Sequence, residues 1–401
     1  MRGRAGELLR VAAVAVILAG LLLPLLPRSA SALEQIEAAQ ISYLPGVTYE
    51  EAGREFRRMR RLGINTVLLR VFQHSGDRVY PFVDPKAPAG VYFATGEAPV
   101  VGDILPGLIP LAHAAGLRVF AWMTTLSTPL GGSPGLMGRR YDLATGKVVP
   151  TDRLDPFNPE ARRRLLALFR DLGRYKLDGI LLQNDLVQHH TEGFSAAAMA
   201  AYRLQRGRNP DPEDFFHDRE TALGGAVRVR RYSEGFREWA KWKSAYLAHL
   251  AADLQTAARR QNPDLVMVPN LSYEVLSRPG AARAWFSEDL HLYAGVFDYV
   301  AVTLYHRQIA DELGLSLKKA ALRVGEMARG GMEQLSDPRA LLAEVQTVDF
   351  GSLEALKPTE WRRIARDIRR VGPVSVAFFP YSTANDMQPP APGPPAQEED
   401  P

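Results

Sequence analysis

"DGILLQNDLVQHH", Asp178 to His190, decides the fold. Its first half, Gly179 to Leu182, is apolar and β-type, and it breaks off into Gln183, Asn184 and Asp185. A short apolar run that ends in polar residues is the pattern of a buried parallel strand reaching water. The same unit recurs on both sides. Strands are predicted at Gln40 to Leu44, Asn65 to Phe72, Arg118 to Thr124, Gly179 to Asn184, Leu265 to Asn270, Tyr299 to Leu304, Leu341 to Gln346 and Ser375 to Phe379. Helical patterns lie between them, as at Pro159 to Tyr175, where Asn158 is an N-cap, Pro159 suits the first turn, and Leu165, Phe169 and Leu172 share a face. Strand and helix alternating in this way predict an α/β chain folded as a (β/α)8 TIM-type barrel, a doubly wound sheet being the competing arrangement. The longest excursion follows the fourth strand, from Leu186 to about Tyr232, and is expected to serve as a lid or groove wall.

Length and composition set the bounds. A chain of 401 residues, 46% hydrophobic and 9% aromatic, can bury a large core. Residues 1–32 read as a signal peptide: Arg2, Arg4 and Arg10 precede an apolar run from Val11 to Leu26, and Ala30-Ser31-Ala32 offers a cleavage site. An uncleaved N-terminal membrane anchor is the alternative. Residues 33–387 then form a single barrel domain, and 388–401, "PPAPGPPAQEEDP" after Gln388, form a disordered Pro-rich acidic tail. The leader accounts for +3 of the formal charge of +4, so the mature chain is nearly neutral and nucleic acid is not expected as a partner. With no cysteine there is no disulfide and no thiolate metal site.

Residues at the C-terminal ends of barrel strands converge on one pocket. Here they are Tyr43, Trp122, Gln183, Asn184, Asp185, Glu274, Tyr305, His306 and Tyr381, a mixture of aromatic, amide and carboxyl groups. Sugars present apolar ring faces to aromatics and hydroxyls to amides and carboxylates, so this mixture suits a carbohydrate. Asp185 is the expected catalytic carboxylate, as general acid, and the others are expected to bind substrate. His189 and His190 point apart in extended chain and have no further ligand at metal spacing, so neither metal nor cofactor is expected. Asp298 precedes the sixth strand, at the opposite rim, and is expected to be structural. There is no Gly-x-Ser-x-Gly elbow, P-loop or dinucleotide fingerprint.

Seven stretches, in order, resemble the C-terminal glycoside-hydrolase domains of the PgaB family, periplasmic proteins that process poly-β-1,6-N-acetylglucosamine. They are "GVYFATGEAPVVGD" (Gly90 to Asp103), "GLRVFAWMTTLS" (Gly116 to Ser127), "RLDPFNPEAR" (Arg153 to Arg162), "LDGILLQND" (Leu177 to Asp185), "WAKWKSAYL" (Trp239 to Leu247), "AWFSEDL" (Ala284 to Leu290) and "FFPY" (Phe378 to Tyr381). The resemblance implies a glycoside hydrolase acting on a partly deacetylated amino-sugar polysaccharide, with export or envelope proteins as partners and an exported location. It does not extend to the family's N-terminal deacetylase domain. The family's paired Asp-Asp on the fourth strand reads Asn184-Asp185 here, and its acid after the last proline reads Tyr381. A glycan-binding barrel without turnover is therefore the alternative.

Overall fold

The structure, a computed structural model, describes residues 33–128, 130, 134–221 and 227–381. The expected leader and acidic tail lie outside these residues. Eight parallel β-segments carry the fold: β1 (Glu37–Ile41), β2 (Thr66–Arg70), β3 (Arg118–Met123), β4 (Gly179–Leu182), β5 (Val266–Val268, resuming at Asn270–Leu271), β6 (Val300–Thr303), β7 (Leu341–Gln346) and β8 (Ser375–Phe379). Each pairs with its neighbours in sequence, and β1 pairs with β8, Ala38 lying opposite Ala377. The two ends of the sheet are the two halves of β5, joined through Pro269. Proline has no N–H to give the ladder, so the strand breaks there while its carbonyl still accepts from Ala301 at 2.8 Å. The ring is thus a nearly closed barrel, and the doubly wound alternative falls.

Local chemistry explains the elements. Thr48 and Glu51 form a capping box on the helix Tyr49–Arg61, which carries Phe56 and Met59 into the core. Asn158 caps Pro159–Leu172 as its sequence requires, accepting from the amides of Glu160 and Ala161. Gly179 opens β4 because a Cβ there would meet the Phe120 ring at 2.8 Å. Contacts gather the described residues from Gln35 onward into one unit.

Two of the regions that depart from the simple alternation bear on the rim. The loop after β3 contains an antiparallel hairpin, Met137–Asp142 with Lys147–Leu154, which the sequence reading did not separate from its surroundings. The excursion after β4 holds a helix (Ala196–Arg206), a short helical turn (Pro212–Phe215) and a second hairpin (Asp218–Thr221 with Val227–Arg231). Its aromatic side chains Phe194, Tyr202, Phe215 and Phe216 bury against Phe236, Trp239 and Trp242 of the long helix Glu234–Arg259, making a second apolar cluster beside the barrel. The excursion is therefore packed structure. Among the described residues no helix is long and apolar enough to cross a membrane.

Candidate active site

At the C-terminal rim, between the loops that follow β4, β5 and β6, opens a cavity of about 430 Å³. β4 stops at Leu182, and residues 184 and 185 turn. This ending frees the pair from strand alternation, so Asn184 and Asp185 both line the cavity. Asn184 is exposed, whereas Asp185 is half-buried and held by the loop after β3. Its two oxygens accept from Thr124 Oγ1 (2.6 Å), Thr125 N (2.9 Å), Thr125 Oγ1 (2.6 Å) and Ser127 N (2.8 Å). Four donors converging on one side chain suit a carboxylate, which only accepts.

Three further acids line the same cavity: Glu274, Glu288 and Glu312. Glu288 is 1% exposed, and the bonds from Ser272 N (3.0 Å) and the Ser272 hydroxyl both fall on its Oε2. Burial pushes its carboxyl up to about 7, against the lowering effect of those bonds. Glu274 is also raised, chiefly by burial, although the Arg278 guanidinium stands 3.8 Å away. Tyr305 lines the wall and donates its hydroxyl to Glu344 of β7 at 2.7 Å. Asn270 on β5 donates to the other oxygen of Glu344 at 2.9 Å. Because β6 lies between β5 and β7, that bond crosses the barrel interior. Glu344 has no exposed surface, and burial lifts its carboxyl to about 7 as well.

Two cations hold the floor, and Arg153 itself lines the cavity. Arg153, delivered by the hairpin after β3, bonds the carbonyl oxygens of Asp185 and Val187 and lies 3.6 Å from Glu192. Lys243, fully buried in the long helix, donates to the carbonyls of His189 (2.9 Å) and Glu192 (3.1 Å), and burial lowers its ammonium to about 7. His189 faces the cavity with Phe286, while His190 turns away and hydrogen-bonds the Tyr232 hydroxyl at 2.9 Å. Among the described residues no cluster of His, Cys, Asp or Glu could hold a metal ion.

The remaining residues singled out in the sequence do not line this cavity. Trp122 is 5% exposed, bonds Gln183 through its indole N–H, and packs edge-on between Phe72 and Phe379. It closes the top of the barrel core. His306 is 1% exposed and joined to Glu360 at 2.8 Å. Tyr381 turns outward to Glu55 of the first helix, and one face of Tyr43 carries the Arg78 guanidinium at 3.6 Å. Asp298 pairs with Arg259 at the opposite rim. The reading from sequence missed Glu288, Glu312, Glu344 and Arg153, although "AWFSEDL" and "RLDPFNPEAR" contain two of them.

Comparison with known proteins places the chain. Residues 48–379 match the family described as hypothetical glycosyl hydrolase family 13. The chain belongs to that family. Its barrel is similar to the PgaB (BpsB) glycoside hydrolase domain from Bordetella bronchiseptica, with a TM-score of 0.67 and 22% identity over 86% of this chain and 94% of that one. It is also similar to the catalytic domain of β-amylase from Paenibacillus polymyxa, with a TM-score of 0.56 and 11% identity over 90% of this chain and 96% of that one. These likenesses establish the fold. A curated relative, poly-β-1,6-N-acetyl-D-glucosamine N-deacetylase of Escherichia coli (strain K12), is 27% identical over 258 residues. The match covers 61% of this chain and 34% of that protein, so the chain spans about a third of the length of the curated relative.

Proposed function

We propose that the protein is an exported glycoside hydrolase acting on partly deacetylated poly-β-1,6-N-acetylglucosamine or a related amino-sugar polysaccharide, with export or envelope proteins as its partners. The observation that carries this reading is the set of four carboxyl groups, Asp185, Glu274, Glu288 and Glu312, around one cavity. A cationic amino sugar is the sugar such a wall favours, since the carboxylates that are ionised there attract its ammonium. The curated relative's named polymer belongs to the same class.

Glycosidic cleavage needs one group to protonate the leaving oxygen and another to meet the positive charge at the anomeric carbon. Glu288 is the proposed general acid, because a carboxyl raised to about 7 still holds its proton near neutrality. Asp185 is the proposed second catalytic carboxylate, fixed in place by the Thr124, Thr125 and Ser127 donors. This role differs from the acid role expected of Asp185, whose oxygens are occupied by donors. Asn184 and Tyr305 hold the sugar. The binding reading without turnover draws on that same saturation of Asp185. Incubation with defined partly deacetylated β-1,6-glucosamine oligomers, read by mass spectrometry, decides between them. Shorter products support hydrolysis, binding without cleavage supports the alternative, and neither binding nor cleavage overturns both.

A further inference from the structure

The barrel is charged unevenly from end to end. Its cavity opens at the C-terminal rim among the carboxyl groups of Asp185, Glu274, Glu288 and Glu312. At the opposite rim, where helices end and strands begin, six exposed cations stand without an ion-pair partner among the described residues: Arg60, Arg61, Lys176, Arg260, Arg329 and Arg366. Arg60 and Arg61 close the helix before β2, Lys176 precedes β4, and Arg260 follows the long helix towards β5. Arg329 lies near the end of the helix Leu317–Glu333 before β7, and Arg366 in the last turn of Pro358–Arg369 before β8. The acids of this rim are largely matched already: Glu37 by Arg369, Asp298 by Arg259, Asp337 by Arg339 and Asp367 by Arg370. Glu333 is an exposed acid left over. A helix macrodipole favours a cation in the last turn, which accounts for Arg60, Arg61 and Arg366 singly. It does not account for Lys176, which stands outside any helix, or for the excess as a whole.

We propose that the N-terminal rim of the barrel is a docking surface for an anionic membrane, its guanidinium and ammonium groups meeting lipid phosphates. The proposal stands independently of the glycan reading. Charge complementarity is its first support, because cations gathered on one surface are drawn to anionic headgroups and the planar arginine fork matches a phosphate. Chain connectivity is the second. β1 begins at this rim with Glu37, and the apolar run Val11 to Leu26 is separated from Gln35 by residues 27–34, which span at most about 30 Å when fully extended. Where that run is retained as an anchor, the rim lies within that distance of the bilayer. One apolar anchor combined with a polybasic surface is the two-signal arrangement that holds a protein at a membrane. Seated on this rim, the barrel turns its cavity away from the lipid.

Co-sedimentation of the full chain with vesicles tests the surface. The wild type is expected to bind phosphatidylcholine vesicles containing phosphatidylglycerol more tightly than vesicles of phosphatidylcholine alone, and high salt is expected to erase the difference. Each cation near an anionic surface strengthens binding about fivefold, so a variant combining Arg61→Gln, Arg260→Gln and Arg366→Gln is expected to bind the anionic vesicles roughly a hundredfold more weakly and the neutral ones as before. The three single variants, each expected to lose about fivefold, give the same reading with less change to the protein. A control combining Arg203→Gln, Arg206→Gln and Arg228→Gln removes equal charge from exposed, unpaired positions on the excursion after β4 and is expected to bind as the wild type does. All of these proteins carry the same leader, so its own arginines cancel from the comparison. A wild type with no preference for anionic vesicles, a preference that survives the rim substitutions, or an equal loss in the control refutes the docking surface.

Discussion

Replacing Glu344 with Gln tests whether the polar layer inside the barrel is as the structure describes it. The carboxyl has no exposed surface, receives bonds from Tyr305 and Asn270, and is lifted by burial from 4.5 to about 7. Below about pH 4.5 both the folded and the unfolded chain hold the proton. As pH rises towards 7 the unfolded chain releases it and the fold keeps it, so stability is lost across that window. At about 1.4 kcal/mol per pH unit the shift amounts to about 3 kcal/mol, of which about 2.5 kcal/mol falls between pH 5 and pH 8. Glutamine keeps the shape and cannot ionise. Urea unfolding at the two pH values should therefore show the wild type losing about 2.5 kcal/mol more than Glu344→Gln. Glu288 is raised by the same cause, and its contribution is common to both proteins. Equal pH slopes for wild type and variant refute the reasoning.

Two further predictions concern the rim. Asp185→Asn removes the charge shared by four donors, so stability should fall by about 2 kcal/mol in urea unfolding and the amides of Thr125 and Ser127 should exchange faster; unchanged exchange contradicts the clamp. Replacing residues 190–230 by a short linker exposes Phe236 and Trp239, each 0% exposed in the fold, at about 2 to 3 kcal/mol per side chain. That variant should therefore unfold or precipitate, and a soluble protein with an unchanged melting temperature refutes the second cluster's role.

The barrel was legible because its signals are local. Parallel strands read as apolar runs, and the N-cap at Asn158 appears where the sequence places it. Boundaries moved where backbone chemistry intervened: Pro269 divides β5, and β1 ends at Ile41, three residues before the expected Leu44. The site was less legible, because position at a strand end fixes a neighbourhood but not a direction. Tyr381 follows β8 and still turns outward to Glu55, and Trp122 faces inward but is covered by Phe72 and Phe379. Glu344 did leave a signal, a single acid within the otherwise apolar run "LLAEV". Glu288 left none of that kind. It sits in a loop after Ser287, whose φ of 59° turns the chain back towards Ser272, a placement set by tertiary packing.

The most direct test of the account is cleavage of a partly deacetylated β-1,6-glucosamine oligomer in H₂¹⁸O at neutral pH by wild-type protein and Glu288→Gln in parallel, read by mass spectrometry. The wild type should give shorter oligomers carrying one ¹⁸O at the new reducing end, and the variant should bind the oligomer but cleave it about 10²- to 10⁴-fold more slowly, the span expected for loss of a general acid. Equal rates for the two proteins, or no cleavage by the wild type, contradict it.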